Sequence, residues 1–121
     1  MSQDGRKAAK MGLQMDLGSL VVSEATEEVL TYLVDQVSFG VSVTNLDGQA
    51  SFKLEGKIGN SWFTLPNTNI LIDGLPGEQS NSVLFYGMCR SLNGVRCRFV
   101  SATGESTPSA AVIAMAATVN I

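Results

Sequence analysis

Between Val37 and Thr44 the chain alternates without a slip. Val37, Phe39, Val41 and Val43 take one parity, and Ser38, Gly40, Ser42 and Thr44 take the other. A period of two belongs to a strand with one buried face and cannot wrap onto a helix. The four residues Asn45-Leu46-Asp47-Gly48 then supply turn chemistry, with Gly48 expected at a positive φ. After them Ala50, Phe52 and Leu54 alternate with Gln49, Ser51, Lys53 and Glu55. A hairpin closed by that loop sets Val43 opposite Ala50, Val41 opposite Phe52 and Phe39 opposite Leu54. All the apolar residues then share one face.

The same rhythm runs through the rest of the chain. Leu13, Met15 and Leu17 alternate with Gln14 and Asp16, and Leu20, Val21 and Val22 follow Gly18. Ser23 to Glu28 reads as a polar turn. Val29 to Val34 is read as a strand because it is β-branched and aromatic, although a helical turn also fits. Gly59-Asn60 marks a turn, Trp62 to Leu65 a short strand closed by Pro66, and Ile70 to Ile72 another. Val83 to Arg90 and Val95 to Val100 flank Asn93-Gly94, and Ala110 to Ile121 is a final strand. About eight short strands with turn signals at roughly ten-residue spacing predict an all-β, antiparallel sandwich, jelly-roll-like or Ig-like. The 121 residues suit one domain, 11–121, preceded by a basic arm, 1–10, that is read as flexible.

Cys89 and Cys97 flank Asn93-Gly94. A two-residue turn puts charges on the core face. A three-residue loop, Leu92-Asn93-Gly94, pairs Cys89 with Cys97 and gathers Val83, Phe85, Val95 and Phe99 on one face. Two readings stay open for the thiols: buried and free, or joined across the strands. Arg90, Arg96 and Arg98 fall on the other face, where Arg90 opposite Arg96 is repulsive unless an anion or acidic partner lies between.

Charge and chemistry narrow the function. The net charge is −3, which disfavours a general nucleic-acid binder. Glu24 to Glu78 holds eight acids against Lys53 and Lys57. There is no histidine, so the usual general base and the commonest metal ligand are missing. Two thiols make at most half a zinc site. No G-x-S-x-G, Walker or G-x-G-x-x-G motif occurs. Asp47 and Asp73 each precede a glycine, as turn residues do. The chain is therefore expected to be no enzyme and to need no metal or cofactor. The longest apolar run, Ala110 to Val119, is too short to span a bilayer, and no leader follows the basic N-terminus. Synthesis in a cytoplasm, without a membrane partner, is the expectation.

The stretch Gln49 to Pro66, Q-A-S-F-K-L-E-G-K-I-G-N-S-W-F-T-L-P, resembles a recurring element of small β-sandwich virion proteins of tailed bacteriophages. Residues 83–86, 95–100 and 110–119 are similar to their later strands, though Gly59-Asn60 stands where Asp-Gly is commoner. The resemblance implies a virion structural subunit, either a capsid decoration or cement protein or a neck or tail component. Its partners would be copies of itself and the major capsid or tail proteins. Expected contact surfaces are the arm (Arg6, Lys7, Lys10), the arginine patch (Arg90, Arg96, Arg98, against an acidic neighbour) and the last strand (Val112, Met115). That strand is apolar on both faces, so it is either central in its sheet or covered by a copy. The rival reading is a carbohydrate- or host-surface-binding module with Asn60, Trp62, Asn67 and Tyr86 forming a sugar face. It needs Trp62 exposed, whereas the assembly reading expects it buried.

Overall fold

The computed structural model describes residues 14–31, 34–74 and 91–117 with their side chains, and 6–8 and 80–86 as backbone. These residues form ten strands: β1 (Arg6–Ala8), β2 (Gln14–Leu20), β3 (Glu28–Leu30), β4 (Gln36–Thr44), β5 (Gln49–Ile58), β6 (Ser61–Thr64), β7 (Ile70–Asp73), β8 (Ser80–Tyr86), β9 (Gly94–Ala102) and β10 (Ser109–Ala117). They make two sheets. One runs β1-β3-β9-β5-β6 with β7 also on β5, and the other runs β2-β10-β4-β8.

The pairings nest. β2 pairs β10, β3 pairs β9, β4 pairs β8, and β5 pairs β6 and β7, all antiparallel. This is one long hairpin folded about the β5–β7 region. Rolled over, it also lays β10 against β4 and β9 against β5. The result is jelly-roll order, so of the two sandwich types expected the chain takes this one. Arg6–Ala8, within the segment read as an arm, adds a three-residue parallel strand to β3.

The alternation read in Val37–Thr44 is borne out residue by residue: Val37, Phe39, Val41 and Val43 are buried. The hairpin built on it is not. Val43 pairs with Ala110 and Ser80, while Ala50 pairs with Ala102 and Ile72, in the opposite sheet. Residues 45–48 therefore form an arch from sheet to sheet. Leu46, fully buried, plugs the end of the sandwich beneath it. The positive φ belongs to Asn45 rather than to Gly48. Gly48 is needed for another reason: a Cβ there would collide with the backbone oxygen of Thr103.

The cysteine hairpin is corrected in the same way. β8 pairs β4 and β9 pairs β3 and β5, so Phe85 is the register partner of Ser38, and Cys97 is that of Leu54. Cys89 and Arg90 lie outside the described residues. Cys97 is a free, buried thiol, and its N–H donates to Thr26 Oγ1 at 3.1 Å. The strand expected over Val29–Val34 stops at Leu30.

The core lies between the sheets. Phe52 and Phe99, register partners on β5 and β9, stack with centroids 4.5 Å apart. Phe39, Leu54, Val95 and Val112 fill in around them. Two bulges adjust the phase. At Gly18, φ +83, β2 gains a residue against β10, which returns Leu20 to the core after Leu17. At Val100 the same happens in β9, leaving its side chain exposed.

Candidate functional site

The two outer faces of the sandwich are chemically unlike. On β5 the outward parity is Ser51, Lys53, Glu55 and Lys57, and on β9 it is Arg96 and Arg98. Register sets Glu55 beside Arg96 and Lys53 beside Arg98. Glu55 lies between the arginines. Arg96 Nε donates to one carboxylate oxygen at 2.7 Å and Arg98 Nε to the other at 3.1 Å. Lys53 Nζ stands 3.7 Å away and donates to Thr64 Oγ1 at 2.8 Å. A second Arg98 nitrogen donates to the Ser23 carbonyl at 2.9 Å. Burial alone pushes the Glu55 carboxyl up, but the hydrogen bonds and charges of Arg96 and Arg98 outweigh it and hold it below the ordinary range.

The Arg96 guanidinium also covers the ring of Trp62, 4.0 Å from its centroid, with Lys57 Nζ at 5.8 Å. Lys57 reaches Glu28 at 3.4 Å. Among the described ion pairs of this face, the four cations Lys53, Lys57, Arg96 and Arg98 meet the two carboxylates Glu28 and Glu55.

The other outer face is nearly uncharged. β10 presents Ala111, Ile113, Met115 and Ala117 outward, with Ile113 40% and Met115 45% exposed. Its neighbour β4 presents Gln36, Ser38, Gly40, Ser42 and Thr44. Ile113 leans over Gly40, where a Cβ would lie 3.1 Å from Ile113 Cγ1. The two strands thus form a surface of small side chains with one aliphatic ridge. Among the described residues of this face the only ionisable side chain is Asp16, on β2.

The expected contact residues scatter over both faces. Arg96 and Arg98 are together, but their acidic neighbour is Glu55 of the same chain. Lys10 and Arg90 lie outside the described residues. Arg6 and Lys7 are on β1 at the edge of the charged sheet, where Arg6 is the register partner of Glu28. Val112 is fully buried and faces the core, so in the last strand the outward surface passes through Met115 and Ile113 instead. β10 is central between β2 and β4.

The four sugar-face residues do not share a surface. Asn60 is exposed in the β5–β6 turn, and Trp62 is half-buried on the outer side of β6. Asn67 is exposed in a left-handed conformation, φ +62, beyond Leu65. Tyr86 is on β8 in the other sheet, where it is the register partner of Val37.

Glu55, Lys53, Lys57 and Ile113 were missed by sequence reasoning. Lys53-x-Glu55-x-Lys57 and Arg96-x-Arg98 do carry a signal, since charges at every second residue line the wet side of a strand. What the sequence lacks is the register that makes Glu55 their common partner. Among the described residues no three His, Cys, Asp or Glu side chains gather into a metal-holding group. No protein-family model matches the chain, and no curated protein matches it closely.

Proposed function

We propose that this chain is a non-catalytic structural subunit that works by docking onto other protein surfaces. The observation that carries this reading is the outer face of β10 and β4. Ile113 and Met115 stand exposed on the central strand of a sheet whose described outward residues are almost uncharged, where a solvated sheet ordinarily carries charged or polar residues. Repeated in many copies, such a face sums weak contacts into a stable assembly.

The resemblance of Gln49–Pro66 to phage virion sandwiches supports a more specific form of the proposal. In that form the subunit decorates a capsid or belongs to a neck or tail. Jelly-roll order is also common in capsid domains, although lectins use it too and fold alone does not choose. Trp62 gives the sugar-binding rival little support, because Arg96 already stacks on its ring.

The test is sedimentation of a tagged chain expressed in its native source. A structural subunit travels in particles far heavier than its own 12.8 kDa. The Met115→Lys variant, equally folded by circular dichroism, shifts to the light fractions. A wild-type chain found wholly in the light fractions would sink the proposal.

A further inference from the structure

We infer that the partner this face takes is a second copy of the same chain, docked sheet on sheet across the outer surface of β2, β10, β4 and β8, with β10 and β4 at its centre. The inference rests on the docking reading above and names its occupant.

Charge favours the copy. A two-fold dimer brings the same patch of each chain together, so any net charge on the patch meets itself. The outer face of β5 and β9 is crowded with Lys53, Lys57, Arg96 and Arg98, and a two-fold copy would set these cations against one another. Among the described residues the face centred on β10 and β4 carries a single ionisable side chain, Asp16 on β2, to one side of the centre. Ser38, Ser42 and Ala111 are small enough to let an opposing sheet approach to the ordinary spacing of about 10 Å.

Area agrees. β4 and β10 are each nine residues long, and β2 and β8 each seven. At a rise of ~3.4 Å per residue and ~4.8 Å between strands, the sheet covers roughly 500 Å². Two copies then bury about 1,000 Å², the lower bound for a specific interface. The dimer is therefore reversible and depends on concentration, which suits a subunit that must also be delivered singly to an assembly.

Sedimentation equilibrium of the purified full chain over a wide concentration range tests this, at low and high salt. The expected result is a monomer–dimer equilibrium that salt does not weaken. Met115→Lys raises the dissociation constant about tenfold or more. Ala111→Arg does the same should the first variant fold poorly. Ser101→Lys, on the opposite outer face, leaves the equilibrium unchanged. A strict monomer at every concentration would overturn the inference while the docking reading stands or falls on the native-source gradient. A dimer that salt dissolves, or that ignores both substitutions on β10, would overturn it in favour of the charged face.

Discussion

Glu55 on β5 accepts Nε–H from its register partner Arg96 at 2.7 Å, and the same guanidinium lies 4.0 Å from the ring centroid of Trp62 on β6. One arginine thus ties three neighbouring strands together on the outside of the sheet. Glu55 is 8% exposed, so its charge leans on Arg96 and Arg98 more than on water.

Replacing Glu55 with Gln should cost about 1.5–3 kcal/mol in urea unfolding, because one arginine meets an amide N–H instead of an acceptor and both lose the carboxylate charge. The pH dependence follows from the direction of the shift. The folded carboxyl titrates below the ordinary value of 4.5, so the folded state binds fewer protons than the unfolded state. The stabilisation is then complete above 4.5 and is lost as pH falls through the lower, folded value. Unfolding curves of Glu55→Gln and wild type should converge as the solution is acidified. Curves that stay parallel would show that Glu55 does not carry this dependence.

Arg96→Ala should uncover Trp62. Acrylamide quenching of its fluorescence rises and the emission moves to longer wavelength, with the fold intact by circular dichroism. Unchanged quenching would mean that the guanidinium does not shield the ring.

Val112 and Met115 are three residues apart on β10 but should respond oppositely. Val112→Ala removes fully buried methyls and should lower stability by about 2 kcal/mol in denaturant titration. Met115→Lys changes an outward side chain and should stay within about 0.5 kcal/mol of wild type. Equal losses for both would contradict their placement on opposite faces of the strand.

Gly48→Ala should destabilise the arch by more than about 1 kcal/mol, since the new Cβ meets the Thr103 backbone oxygen rather than a movable side chain. Thermal unfolding measures it. A neutral substitution would mean that the arch and the 103–106 loop separate easily, although Asp47 ties them by accepting the N–H groups of Glu105 and Ser106.

Cys97 should be inert in the folded protein. Burial, with a contribution from the Glu55 charge, pushes its thiol up to about 12, so almost no thiolate forms at neutral pH. In a Cys89→Ser background, thiol reagents should label it only as fast as the chain unfolds. Rapid labelling under native conditions would contradict its burial.

The amino-acid sequence by itself determined which side of β4 and of β5 is buried. Val37, Phe39, Val41 and Val43, and likewise Ala50, Phe52 and Leu54, were legible because a side chain's parity depends only on its own strand. The turn between β5 and β6 was legible too, since Gly59 supplies its positive φ locally. Strand partnership was decided only by the tertiary structure. Two apolar rows separated by Asn45–Gly48 satisfy burial equally well side by side in one sheet or facing each other across a core. The choice between them comes from β10 and β9, dozens of residues away, which claim the edges of β4 and β5. The same long-range pairing made Glu55 the partner of both arginines, turned Val112 inward, and left Ile113 and Met115 to the surface. Parity is a local property of the backbone, whereas register is a property of the whole roll.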